Sequence, residues 1–331
     1  MHAIISKKNT RISIRLSPII AQIIVIISFL SLYYNYRFLK GTSSELDGRF
    51  PDEWATASWG DDHTAEWVKK IDGKSVVWHW HFYSKIKIKK QISRTLLVAQ
   101  YTGWDDVYFG FTDITEVANR AYAKRWNHDY VRMNGVAFGD FAGYNKAEVL
   151  RIAMKKKVYD AVILLDADAV IVDLDQNALD LIPESMLLTA HRVKRSDESY
   201  TTNINNGVTI WNLRHENMSE VNGLWIDRII KEDNLKKNRR KLGYGDRRYP
   251  SDQKELHLVL GQYADKDREK MINAIETKHF FYSEGTFVKH VVRSEQNWDP
   301  SEGLLKRKKI LEDEVQKVCE KWKGACENLE V

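Results

Sequence analysis

VILLDADAVIVD, residues 162–173, decides how this chain is read. Its unbroken Val, Ile and Leu mark a buried strand, yet Asp166 and Asp168 sit in the middle of it. An unpaired carboxylate in a protein core costs several kcal/mol, so something must compensate these two. On an extended chain, residues two apart project to the same side. A continuous strand over residues 161–172 would therefore hold both carboxylates roughly 6.5–7 Å apart along one face. The pair falls near the C-terminal end of that strand, where open α/β sheets bind their ligands. Two anionic oxygen donors there suit a hard divalent cation, Mn²⁺ or Mg²⁺, which completes its shell with phosphate oxygens. The competing use of each Asp is to cap a neighbouring loop.

The flanking sequence alternates strand and helix. TLLVAQYT (95–102) and HDYVRM (128–133) read as strands, and ITEVANRAYAKRW (114–126) and NKAEVLRIAMKKK (145–157) as helices. Strand, helix, strand, helix, strand predicts a parallel sheet with helices on both faces. Upstream, SVVWHWHF (75–82) is an amphipathic strand with Trp78 and Trp80 on one face and His79 and His81 on the other. KIKIKK (85–90) reads as a lysine-protected edge. Downstream, residues 185–192 and 205–213 read as strands and residues 219–230 as a helix. The basic run 236–250 reads as a loop. Ser251 is an N-cap for a helix over residues 251–263, residues 283–293 form a late strand, and residues 304–322 an amphipathic helix.

Charge is unevenly spread. Of 51 basic and 46 acidic side chains, six basic ones and no acid lie in residues 1–40, which leaves 45 against 46 in the remainder. The body, at a net charge of −1, has no general attraction for nucleic acid. Residues 16–34 are uncharged and mostly apolar, long enough as a helix to span about 28 Å. Lys7, Lys8, Arg11 and Arg15 precede that run and only Arg37 and Lys40 follow it closely. The pattern predicts a single-pass type II anchor with a cytosolic N-terminus. A cleaved signal peptide or a buried helix are the competing readings. Cys319 and Cys326, the two cysteines, would lie roughly 10 Å apart on one helix, too far to bond. Gly324 between them could end the helix and fold the chain back, so a disulfide and two free thiols both stay open. Asn217-Met218-Ser219 is an N-glycosylation sequon, usable on a lumenal face.

Two chemistries use such an acidic strand end. One transfers a sugar from a nucleotide diphosphate, with a metal stabilising the departing diphosphate. The other is a phosphatase of the haloacid dehalogenase type, whose nucleophile motif D-x-D-x-V matches residues 166–170, with Gly245, Asp246 and Asp252 loosely similar to its later acidic motif. In that fold the nucleophile strand opens the domain, whereas here two strand-helix units precede it.

Further motifs separate the two. Asn119 with Tyr122-Ala123, then Tyr144-x-Lys146 with Arg151, then Asp166 and Asp168, stand in this order and spacing. Asn205-Asn206-Gly207, Ser251-Asp252-Gln253 and Phe287-Val288-Lys289-His290 follow. Over about residues 93–293 the chain resembles glycosyltransferase family 34, the fungal and plant α-galactosyl-, α-xylosyl- and α-mannosyltransferases. In that family the late His precedes a small residue and Gly, and this chain has Val291-Val292-Arg293 instead.

The resemblance implies a GT-A fold, that is, a Rossmann-like α/β nucleotide-diphospho-sugar transferase fold with a mixed central sheet, here preceded by a transmembrane helix. It implies Mn²⁺ (or Mg²⁺) dependence, a UDP-sugar or GDP-sugar donor, a glycan or glycoprotein acceptor, and retention of anomeric configuration. Asp166, Asp168 and His290 would hold the metal. Lys146, and Arg293 with it, would balance phosphate charge, while Tyr101 and Thr102 would meet the nucleotide base. Asp252 and Gln253 would lie near sugar and acceptor, and Asn206 would orient sugar hydroxyls. The expected organisation is a cytosolic tail (1–15), an anchor (16–36), a stem with N-terminal strands (37–90), a catalytic domain (91–300) and a terminal helix (301–331). The expected site of action is the Golgi lumen. A non-catalytic membrane-anchored partner is the third hypothesis, from the altered residues after His290.

Overall fold

The computed structural model describes residues 63–71, 74–83, 95–103, 106–137, 141–192, 204–241, 251–275, 284–292 and 300–327. Among these residues ten strands and six α-helices follow one another as β1 (His63–Ile71), β2 (Lys74–Phe82), β3 (Leu96–Thr102), α1 (Asp106–Arg125), β4 (Asp129–Asn134), α2 (Asn145–Lys156), β5 (Ala161–Leu165), β6 (Ala169–Ile171), β7 (Leu188–Arg192), β8 (Ile204–Asn212), α3 (Met218–Lys241), α4 (Asp252–Leu260), α5 (Asp265–Met271), β9 (Ile272–Ile275), β10 (Val288–His290) and α6 (Pro300–Lys321). Among these residues, eight strands form one sheet in the order β1-β2-β4-β3-β5-β8-β7-β9, and β6 pairs with β10 in a second, two-stranded sheet.

The sheet is mixed. β4, β3 and β5 run parallel where strand and helix alternate in sequence. On one side β2 joins β4 antiparallel, and on the other β8 joins β5 antiparallel. The parallel pairing predicted from the strand-helix alternation holds for these three strands, and their antiparallel neighbours make the sheet mixed, as the resemblance implies. β3 and β5 are buried on both faces, as their continuous apolar runs require. Their alternate residues divide between two layers. Leu96, Val98, Ile163 and Leu165 join Ala118 and Tyr122 of α1 and Leu311 and Val318 of α6 in one core. Leu97, Ala99, Val162 and Leu164 are equally buried and, two-residue periodicity being strict in a strand, point the other way.

Several expectations need correction. The continuous strand over residues 161–172 does not form. β5 stops at Leu165, residues 166–168 make a turn closed by Ala169 N donating to Asp166 O at 3.0 Å, and β6 leaves for the second sheet. Asp in a turn satisfies its backbone more easily than Asp inside a ladder, which explains why the strand breaks there. α1 begins at Asp106, eight residues before the predicted start at 114. α3 continues through residues 236–241, which were expected in a loop, because Lys236 buries its stem and places its ammonium 5.9 Å from the Tyr144 ring. Cys319 and Cys326 form a disulfide where the chain turns back at Gly324, whose φ of +84° is the left-handed conformation glycine tolerates.

The single-pass Golgi placement is overturned. No helix among the described residues is long and apolar enough to cross a membrane. Residues 16–34, the lysine-rich stretch 85–90, Gly245, Asp246 and Arg293 lie outside the described residues.

β6 is held from the side by one residue of α1. Asn119 accepts from Ile171 N at 2.8 Å and donates to Ala169 O at 3.1 Å, as a neighbouring strand would. Tyr122, one turn along, accepts from Ala178 N at 2.8 Å through its hydroxyl. Asn119→Ala leaves a buried donor without a partner and is expected to cost about 2–3 kcal/mol in urea unfolding. A loss under about 1 kcal/mol would contradict this clamp.

Candidate functional site

The turn after β5 is gripped through its own carbonyls. The Gln100 amide, on β3, reaches Asp166 O and Ala169 O at 3.4 Å each, and its oxygen is fixed by the Tyr130 hydroxyl at 2.8 Å. The Thr115 hydroxyl lies 3.1 Å from Ala167 O, and Val291 N donates to Asp168 O at 2.9 Å. From the other side, Asp166 N donates to Gly207 O at 2.8 Å. A turn this fully bonded cannot swing, so the directions of its two carboxylates are set by buried partners.

Those carboxylates converge on His290, which β10 places opposite Ala169. His290 Nε2 lies 3.1 Å from Asp168 Oδ1 and 3.5 Å from Asp166 Oδ2. One ligand atom from each of the three residues falls within 4.8 Å of the others, a separation that a single cation can bridge. Space for the imidazole depends on Gly207. A Cβ there would stand 2.1 Å from His290 Cε1 and 2.7 Å from Asp166 Oδ2, so no side chain fits.

A second group of polar residues adjoins the first. Lys146, 2% exposed at the start of α2, sets its ammonium 3.1 Å from Asp166 Oδ1 and 2.6 Å from Asp252 Oδ2. Asn206 Nδ2 donates to the same Asp252 oxygen at 2.7 Å, and Asn206 N meets Gln253 Oε1 at 3.4 Å. Ser251 accepts from Lys254 N at 3.1 Å and starts α4, which puts the Asp252 carboxylate at a helix N-terminus, where negative charge is favoured. The Tyr101 hydroxyl donates to Asp166 Oδ1.

Charges here are interlocked. Burial pushes the His290 imidazole down, but Asp168 and Asp166 outweigh it and raise its pKa to about 9. Burial drives Asp166 up to about 7 against the pull of His290, with 28% of its side chain still open to solvent to temper the effect. Asp168 is also pushed up by burial, yet His290 and Arg307 together hold it below the usual carboxylate range. Burial keeps the Lys146 ammonium below its ordinary value despite Asp252.

The structure thus gathers Tyr101, Lys146, Asp166, Asp168, Asn206, Asp252, Gln253 and His290 into one region. Thr102 is buried beside it with its hydroxyl on Gly103 O at 3.2 Å, and Arg151 pairs instead with Glu148 at 2.5 Å. The paired His79 and His81 join no metal-ligand group among the described residues. After His290, Val291 and Val292 need no left-handed backbone, so this chain closes the turn without the glycine of the family pattern.

Sequence reasoning missed Arg307. From α6 its guanidinium meets Asp168 Oδ2 through Nη2 and donates from Nε to Val291 O at 2.8 Å. The available signal was periodicity: Arg307 falls one turn before Leu311 and in line with Val318, on the buried stripe, while Lys306 and Lys308 beside it are exposed.

No family model and no curated relative match the chain. Several solved structures are similar to part of the chain, among them proteins named as glycosyltransferases. One, involved in glycosylation of the major capsid of PBCV-1, is 9% identical with a TM-score of 0.42, covering 67% of this chain and 100% of its own. GlyE of Streptococcus pneumoniae TIGR4 is 13% identical with a TM-score of 0.39, over 71% of this chain and 64% of its own. A mutant Drosophila β1,4-galactosyltransferase 7, in complex with manganese, UDP-Gal and xylobiose, is 10% identical with a TM-score of 0.36, over 64% of this chain and 79% of its own. Likenesses of this size carry no argument by themselves, and the resemblance to family 34 rests on the motif residues alone.

A cation entering this centre must displace the proton on His290. Between about pH 7 and about 9, Mn²⁺ affinity is therefore expected to climb about tenfold per pH unit, with about one proton released per ion. Calorimetry in buffers of different ionisation enthalpy measures both, and a pH-independent affinity over that range would contradict the raised pKa of the imidazole.

Proposed function

We propose that this chain is a glycosyltransferase of the GT-A type that takes its donor as a metal-bound nucleotide diphosphate sugar. The observation that carries the reading is the convergence of Asp166, Asp168 and His290 on one point, beside Lys146 and the Asp252–Asn206 pair. Two carboxylates with one imidazole suit Mn²⁺ better than Mg²⁺, which prefers an all-oxygen shell. Held there, the cation would supply positive charge to a departing diphosphate.

The protein's own groups divide the remaining work. Lys146 offers a buried ammonium to the same diphosphate, fixed in direction by Asp166 and Asp252. Asn206 and Gln253 present amides next to Asp252, where they can bind sugar hydroxyls and orient the donor. Tyr101 anchors Asp166, and its ring, 5.3 Å from the Lys146 ammonium, also shields that charge from solvent. A hexose or xylose as the transferred sugar, UDP or GDP as the carrier, a glycan acceptor and a retaining course follow from the resemblance to family 34.

The phosphatase alternative asks Asp166 to act as a nucleophile. Tyr101 and Lys146 occupy its Oδ1 and His290 stands 3.5 Å from Oδ2, which leaves neither oxygen unengaged.

A thermal-shift experiment on the full-length chain with UDP or GDP, each with Mn²⁺ or with EDTA, tests the proposal. A ligand at about 100 times its Kd stabilises the native state by about 2.7 kcal/mol, a rise of several degrees. One of the two nucleotides should raise the melting temperature with Mn²⁺ and leave it unchanged with EDTA. A folded protein that responds to neither would sink the transferase, and covalent trapping of Asp166 by beryllofluoride would then support the phosphatase.

A further inference from the structure

The C-terminal helix α6 begins ten residues after His290 and carries none of the motifs read from the sequence, yet three contacts tie it to the site. Arg307 pairs with Asp168 Oδ2 through Nη2, and its Nε donates to Val291 O at 2.8 Å, directly after His290. Lys289, on the other side of His290, pairs with Glu314 of α6 at 2.7 Å. The guanidinium is buried, with its carbon 4.9 Å from the Phe111 ring and 5.8 Å from the Tyr108 ring, and this packing restricts how it can turn.

We propose that Arg307 is a positioning residue for the cation centre. Its side-on fork holds one oxygen of Asp168 and the backbone after His290 together, and so turns Asp168 Oδ1 toward His290 Nε2, 3.1 Å away. Arg307 touches the far oxygen of a ligand and the chain next to another, and it makes the centre a property of α6 as well as of the sheet. Partners that orient metal ligands commonly account for 10- to 100-fold of metal affinity. Lysine in its place keeps the charge but cannot satisfy both acceptors from one plane. This inference rests on the cation centre proposed above.

The test is Mn²⁺ affinity, read from the electron paramagnetic resonance signal of free Mn²⁺, for the full-length chain and for Arg307→Met and Arg307→Lys. Melting temperature is recorded in EDTA for each. Arg307→Met should weaken Mn²⁺ about 10- to 100-fold and Arg307→Lys by a smaller factor, with Asp168→Ala abolishing binding. A Glu314→Gln control, which releases α6 from Lys289 but keeps the fork, should bind Mn²⁺ within about threefold of the parent while melting lower in EDTA. If Arg307→Met does not fold, Arg307→Lys decides, since it retains volume and charge. Parental Mn²⁺ affinity in a folded Arg307 variant overturns the positioning role and leaves the centre standing. Absence of Mn²⁺ binding in the parent overturns the centre and the inference with it.

Discussion

The structure depends on a turn that is not free to move. A parallel strand packed on both faces ends at Leu165, and the next residues must carry two carboxylates out of a dry core without leaving their backbone unpaired. Gln100, Thr115, Asn119 and Val291 N meet the carbonyls of residues 166–169 from three directions. The cost of ordering the turn is met in the hydrophobic layers that place β3 and α1, so the acids themselves need not contribute to folding. Pre-organisation of that kind is what a charged site requires, because its groups then need no rearrangement when a ligand arrives.

Charge balance follows from the same geometry. Asp166, Asp168 and Asp252 face Lys146, Arg307 and His290 across distances that leave no carboxylate alone. The imidazole is the adjustable member. Protonated, it balances the acids, and deprotonated, its ring nitrogen can join the two carboxylates on a cation. Seven separate segments contribute to this site, from β3 to α6, and that spread links its integrity to the described sheet and its helices.

The central strands, α2, α4 with its Ser251 cap, and α6 were legible in the sequence because apolar periodicity and capping chemistry are local signals. The three side chains that converge were also named from the sequence, Asp166 and Asp168 as carboxylates at a strand end and His290 through the family resemblance, although the continuous strand that was to align the two aspartates does not form. Other features were not. The break at Asp166 does not follow from the apolar run alone: the turn chemistry of Asp allows it, but the partners that satisfy the turn's carbonyls lie 50 or more residues away, Thr115 and Asn119 on α1 and Gln100 on β3. The extension of α3 depended on Lys236 finding the Tyr144 ring, a tertiary event in a stretch whose composition reads as solvated loop. Gly207 was noticed as part of a motif, but the reason for it, the closeness of His290 and Asp166, appears only in three dimensions. Arg307 was hidden among lysines that share its charge and not its burial.

The central claim is that Asp166, Asp168 and His290 together hold a divalent cation. Anomalous diffraction at the manganese edge, from crystals of the full-length chain grown with Mn²⁺ and a nucleoside diphosphate, tests it directly. The account predicts a manganese peak bonded to those three side chains, with diphosphate oxygens completing the shell and Arg307 still on the far oxygen of Asp168. Manganese bound elsewhere, or a diphosphate seated on Lys146 with His290 still paired to both aspartates, would contradict it.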